Sequence, residues 1–258
     1  MKRMTLLFSI LAAPTAALAQ APDHIALGIA RVEARDPQAA LDHFKAQLET
    51  DPGSYEANWR AALALVDIGK QTPDSIRSPR RDSLYAEAER YARKATEANP
   101  GDAEGHFVLS VAIGRASLTR SKRERVRRAT EIRMEALKAI EINPRHDGAS
   151  HVMGRWNAEI MRLSAMERFF AKSFLGGSVF SQASWDRAVE YMEQAVSLAP
   201  TNIYHQLDLA LVYIDRKRYS DARRHLEQIA ALPVVDVMDP NYQQQAVTQL
   251  RRIEGKRD

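Results

Sequence analysis

The chain of 258 residues contains no cysteine. That excludes disulfides and thiolate metal sites, and it excludes a lipid-modified cysteine behind an N-terminal export segment. Long apolar runs are missing after the first twenty residues, so nothing beyond them reaches the roughly 20 residues that a bilayer span requires. An excess of one charge is missing too: 37 basic residues face 33 acidic ones, too small a margin to argue for nucleic acid. His24, His43, His106, His146, His151, His205 and His225 are scattered, with no H-E-x-x-H or other metal-ligand spacing. A glycine-rich phosphate loop, a nucleophile elbow and a dinucleotide fingerprint are all lacking. The expectation is a protein that is not an enzyme and that uses no cofactor and no metal.

The N-terminus has the three parts of an export signal. Lys2 and Arg3 precede the apolar run Met4–Ala13, and Ala17-Leu18-Ala19 is a small-residue cleavage site before Gln20. Residues 1–19 are therefore read as a signal peptide, and the mature chain is expected in the periplasm. Without Lys2 and Arg3 its net charge falls to near +2. The remaining 240 or so residues are enough to build a packed apolar core without disulfides.

A repeat dominates that remainder. Four segments end alike, at LETDPG (48–53), TEANPG (96–101), IEINPR (140–145) and VSLAPT (196–201). Twelve residues before each proline stand Ala40, Ala88, Ile132 and Ala188; eight before stand Phe44, Ala92, Ala136 and Met192. Five before come Ala95, Ala139 and Ala195, while the first unit departs with Gln47 and has Leu48 one step later. Gaps of four and three mark one face of an α-helix, and the proline ends it. A second helical stretch precedes each of these and one more follows, with small residues where two helices must approach: Gly28, Ala62, Ser110, Gly154 and Ala210.

This pattern resembles the tetratricopeptide (TPR) repeat, with its 34-residue pair of helices. The resemblance implies an all-α solenoid of about five helix-turn-helix units plus a C-terminal helix. A single domain over 20–258 is expected, with units near 21–54, 55–102, 103–146, 147–202 and 203–236 and the last helix near 239–255. Proline spacings of 48, 44 and 56 residues place insertions inside the three middle units. More narrowly, GHFVLSVAIGRA (105–116), ALKAIEINP (136–144), SHVMGRW (150–156) and the insert MERFFAKSFL (166–175) before RAVEYMEQAVSLA (187–199) resemble the regulator of microtubule dynamics protein family. That likeness implies the same fold and order of elements, and it brings no catalytic motif.

In the TPR pattern, positions five and nine of each unit face the concave surface. Here they read Ile25/Ile29, Trp59/Leu63, Phe107/Val111, His151/Arg155 and Leu207/Leu211. An apolar stripe of this kind is normally covered. The leading expectation is a scaffold binding a protein or peptide there, along Trp59, Leu63, Phe107, Val111, His151, Arg155, Leu207 and Leu211. The other is a structural envelope component whose groove is filled from within, by the C-terminal helix or by the insert 162–182 with Phe169, Phe170, Phe174 and Phe180. Such a protein would act through the basic stretch Arg120, Lys122, Arg123, Arg125, Arg127 and Arg128, at an anionic membrane surface or within an assembly.

Overall fold

The structure, a computed structural model, describes residues 22–118, 120–164, 166–168 and 179–258. The expected signal peptide (1–19), the Lys122 side chain, and Phe169, Phe170 and Phe174 of the aromatic insert lie outside the described residues. Eleven α-helices follow one another among those described: α1 (His24–Glu33), α2 (Pro37–Thr50), α3 (Tyr55–Lys70), α4 (Pro79–Ala98), α5 (Ala103–Ala116), α6 (Lys122–Ile142), α7 (Asp147–Arg162), α8 (Trp185–Leu198), α9 (Ile203–Asp215), α10 (Tyr219–Ile229) and α11 (Asp239–Arg252). A 3-10 turn, Val179–Gln182, precedes α8. Each odd helix from α1 to α9 packs against the even helix after it, and each even helix up to α8 against the next unit. The result is the five-unit α-solenoid that the repeat implies, with α11 added at its end.

Caps set most of the helix starts. Asp23, Asp36, Ser54, Ser78, Asp102, Ser121, Ser184 and Asn202 each accept a hydrogen bond from a backbone N–H of the first turn, satisfying a donor that would otherwise be orphaned. The small residues do what their positions suggest. A Cβ at Gly28 would sit 2.3 Å from Phe44, and one at Gly154 would sit 2.6 Å from Met192, so in both units the glycine lets the partner helix close in.

A second recurring device is absent from the expectations above. Six residues after a turn proline, a buried polar side chain turns back onto that proline's carbonyl. Asn58 donates to Pro52 O at 3.2 Å, Gln206 donates to Pro200 O at 2.8 Å, and His106 Nε2 lies 3.0 Å from Pro100 O. In the fourth unit the equivalent residue is Ser150, too short to reach, and Gln194 donates to Pro144 O instead. Buried carbonyls at helix ends need such partners.

The unexpanded units close with a left-handed residue that is not glycine, Arg35 in the first and Lys217 in the fifth, both at φ 60°. The middle units replace that turn. Much of their extra length is helical, since α4 has 20 residues and α6 has 21, against 14 in α2. At 1.5 Å per residue, α6 is about 10 Å longer than the 14-residue α5 beside it. In the fourth unit Phe180 is buried beside Trp156, ring centroids 6.0 Å apart.

Candidate partner-binding cleft

The concave side holds a cleft of about 550 Å³, lined from α7, α9 and α11 and, across it, from the end of α3 and from Arg115 of α5. Two ion-pair rungs join α7 to α9. Arg155 Nη1 lies 3.4 Å from Asp208 Oδ2, and Arg162 Nη2 lies 2.6 Å from Asp215 Oδ2. Both arginines and both aspartates are seven apart in sequence, two helical turns, which puts each pair on one face. Arg155 also donates to the Tyr204 hydroxyl, and the Tyr204 ring stacks on Tyr242 of α11, centroids 4.6 Å apart and nearly parallel. On the opposite wall, burial opposes the Lys70 charge but Asp67, 2.9 Å away, keeps it protonated above its ordinary range.

Beneath this surface lies a buried polar layer. The His151 ring sits between Tyr204 and His205, centroids 4.6 and 4.5 Å away, and His205 Nε2 is 2.9 Å from Asp147 Oδ2. His151 Nε2 is 3.1 Å from Asp208 Oδ2. That contact is not aligned as a hydrogen bond, so both His151 nitrogens and Asp208 Oδ2 are buried without one. Burial and the neighbouring His205 push the His151 pKa down to about 4. Burial works against the Asp208 charge, yet Arg155 and His151 override it and hold that carboxyl at about 2.

The N-terminal part of the concave face is different. The connection from α10 to α11 is longer than the other inter-unit turns and runs over it as a strap. Val235, Asp236 and Val237 share a space of only about 100 Å³ with Trp59, Arg60, Leu63, Val32 and Phe44. The strap is held from within, because the buried Asp239 carboxylate accepts the N–H groups of Val235 and Asp236 at 2.8 and 2.7 Å. Arg60 lies over the Trp59 ring, 4.2 Å from its centroid.

The eight residues expected along one strip are thus distributed over distinct environments. Arg155, Leu207 and Leu211 line the large cleft. Trp59 and Leu63 lie under the strap. Phe107 packs on His146, centroids 4.7 Å apart, Val111 packs against the N-terminal core, and His151 is buried. Tyr204, Asp208, Arg162, Asp215 and Tyr242 were not among those expected, although the seven-residue spacing of the Arg and Asp pairs is visible in the sequence. In the basic stretch, Arg128 reaches Glu89 at 2.8 Å and Arg127 reaches Glu124 at 2.7 Å. Arg120, Arg123 and Arg125 are exposed and make no ion pair among the described residues. Those residues also contain no cluster of three or more metal-ligating side chains and no helix long and apolar enough to cross a membrane.

Known proteins give this architecture a family. The chain resembles regulator of microtubule dynamics protein 1 of Bos taurus, 26% identical over 203 residues, which cover 78% of this chain and 62% of that protein. The Pongo abelii protein of the same name is 26% identical over 149 residues, or 58% and 46% of the two chains. This chain therefore spans less than two thirds of the relatives it matches. Among solved structures, a thermophilic TPR protein of Thermus thermophilus superposes with a TM-score of 0.61 at 18% identity, covering 87% of this chain and 97% of that one. Pseudomonas aeruginosa pilF gives 0.51 at 15% identity, covering 90% of each. Both share the helical-repeat fold. The family model described as regulator of microtubule dynamics protein 1-3 matches residues 29–254, and the chain belongs to that family.

Proposed function

We propose that this chain is a non-catalytic, exported scaffold of the periplasm that holds an extended segment of a protein partner in the cleft between α7, α9 and α11. The observation that carries this reading is the open cleft itself. Its volume of about 550 Å³ lies within the roughly 300–1,000 Å³ of ligand pockets. It offers an aromatic platform in Tyr204 and Tyr242, apolar contact in Leu207 and Leu211, and a partly exposed guanidinium in Arg155. Such a mixture suits a peptide, whose backbone and side chains present both polar and apolar groups. The solenoid fold supports a role in protein interaction, and the N-terminal sequence supports export.

Affinity capture from the cell envelope of the source organism tests the reading. The double change Arg155→Ala and Tyr204→Ala is expected to abolish co-purification of partners while helical content by circular dichroism is unchanged. Partners retained by that variant, at wild-type yield, overturn it.

A further inference from the structure

Net charge conceals a strong separation of charge between the two edges of the solenoid. In an array of antiparallel hairpins, all hairpin tips lie along one edge and all inter-unit turns along the other. Cross-links confirm the common tip edge: Arg115 reaches Asp74 at 3.6 Å, Arg162 reaches Asp215 at 2.6 Å, and Ser220 N donates to the C-terminal Asp258 at 2.9 Å. The inter-unit edge carries Asp51, Glu56, Glu97, Asp102, Glu104 and Asp147. The tip edge carries Arg77 and Arg80 on the α3–α4 tip and Arg120, Arg123 and Arg125 on the α5–α6 tip, all exposed and outside any ion pair among the described residues. Arg216 and Lys217 continue it on the α9–α10 tip, and both are exposed.

Helix dipoles do not account for this arrangement. The tip edge contains the N-termini of the even helices, where the macrodipole favours acidic residues. The arginines at the start of α6 oppose that preference, and they stand on a helix about 10 Å longer than its partner. Nor is the edge purely polar. Ile76, Leu118 and Met166, 52%, 40% and 70% exposed, lie on three successive tips. Aliphatic side chains at loop tips amid unpaired arginines match a bilayer interface, where apolar groups enter the acyl boundary and cations meet the headgroups. An acidic protein groove would use the charges but would leave these aliphatic tips in water.

We propose that the hairpin-tip edge docks on an anionic phospholipid surface, with the concave cleft left open to the side. This proposal is independent of what the cleft holds. Five unpaired arginines on two adjacent tips give the electrostatic attraction, and Ile76, Leu118 and Met166 add shallow insertion.

Sedimentation of the full chain with phosphatidylcholine vesicles, with and without 30 mol% phosphatidylglycerol, is the test. The readout is the difference between the two vesicle types, to which the apolar N-terminus contributes equally. At low salt the anionic vesicles are expected to bind preferentially, and the preference fades as salt rises. Reversal of three charges, Arg120→Glu, Arg123→Glu and Arg125→Glu, should weaken it about a hundredfold, taking roughly fivefold per arginine. The double change Ile76→Ser and Leu118→Ser should weaken binding severalfold and leave its salt dependence intact. Equal binding to both vesicle types overturns the proposal, as does an undiminished preference in the triple Glu variant. If the same arginines capture polyglutamate but no anionic vesicle, the surface belongs to an acidic protein and the membrane assignment falls.

Discussion

The two parts of the concave face are built from equivalent positions of the same repeat, yet they have become opposites. In the N-terminal part, Trp59 and Leu63 lie under the strap in a narrow apolar space. In the C-terminal part, Arg155, Asp208, Tyr204 and Tyr242 surround an open, largely polar cleft. The difference comes from one connection. Most inter-unit turns are four residues long, whereas nine residues separate α10 from α11, and the extra length is folded back over the apolar positions. An apolar groove left in water is costly, and this chain covers its own. What stays open is the stretch where ion pairs and hydroxyls make exposure tolerable.

The largest test of this contrast is removal of a charge from the polar part. Asp208→Ala leaves Arg155 and His151 without their carboxylate, and a broken buried pair costs about 4 kcal/mol, measured by urea unfolding. The same change at the more accessible Asp67 of α3 is expected to cost markedly less. Acid pH probes the polar part next. His151 is held neutral in the fold, with its pKa lowered to about 4, whereas the unfolded chain takes a proton near 6.5. The unfolded state therefore binds more protons between those values, and stability should fall as pH drops from 6.5 to 4, by about 3 kcal/mol. In His151→Asn that slope should flatten. A slope unchanged in the variant assigns the pH dependence to other groups.

A milder perturbation lifts the strap. Val235→Asp with Val237→Asp should cost about 2 kcal/mol, as buried apolar contact is lost. Acrylamide quenching of Trp59, taken as the difference from a Trp59→Phe control, should rise, while the C-terminal cleft is undisturbed. The smallest effect comes from the matching turns at the two ends. Lys217→Gly and Arg35→Gly each relieve a left-handed non-glycine residue and should stabilise by about 0.5–1 kcal/mol. Equal gains show that the terminal hairpins are closed by the same turn, whatever their concave faces have become.

The fold was legible because its determinants are local and repeated. Prolines 52, 100, 144 and 200 end helices wherever they stand, and Gly28 and Gly154 can be read as close approaches without knowing what approaches. The site was harder to read because it depends on elements distant in the chain. Nothing near Trp59 announces that Val235 will cover it, and Tyr204 acquires its role from Tyr242, 38 residues later. Two signals were readable and passed over. One is the polar residue six after each turn proline, at Asn58, His106 and Gln206. The other is the pair of seven-residue spacings, Arg155/Arg162 and Asp208/Asp215, that builds the rungs. Both are periodic in charge or hydrogen bonding rather than in hydrophobicity, the periodicity by which helices are normally recognised.

The central claim is that a partner occupies the C-terminal cleft while the strap keeps the N-terminal groove closed. Amide hydrogen exchange on the protein with and without a captured partner segment tests it most directly. Protection confined to α7, α9 and α11, with α1, α3 and the strap unchanged, is the result predicted. Protection of α1 and α3 accompanied by faster exchange in the strap would contradict it, because the partner would then have displaced the strap and bound along the Trp59 face.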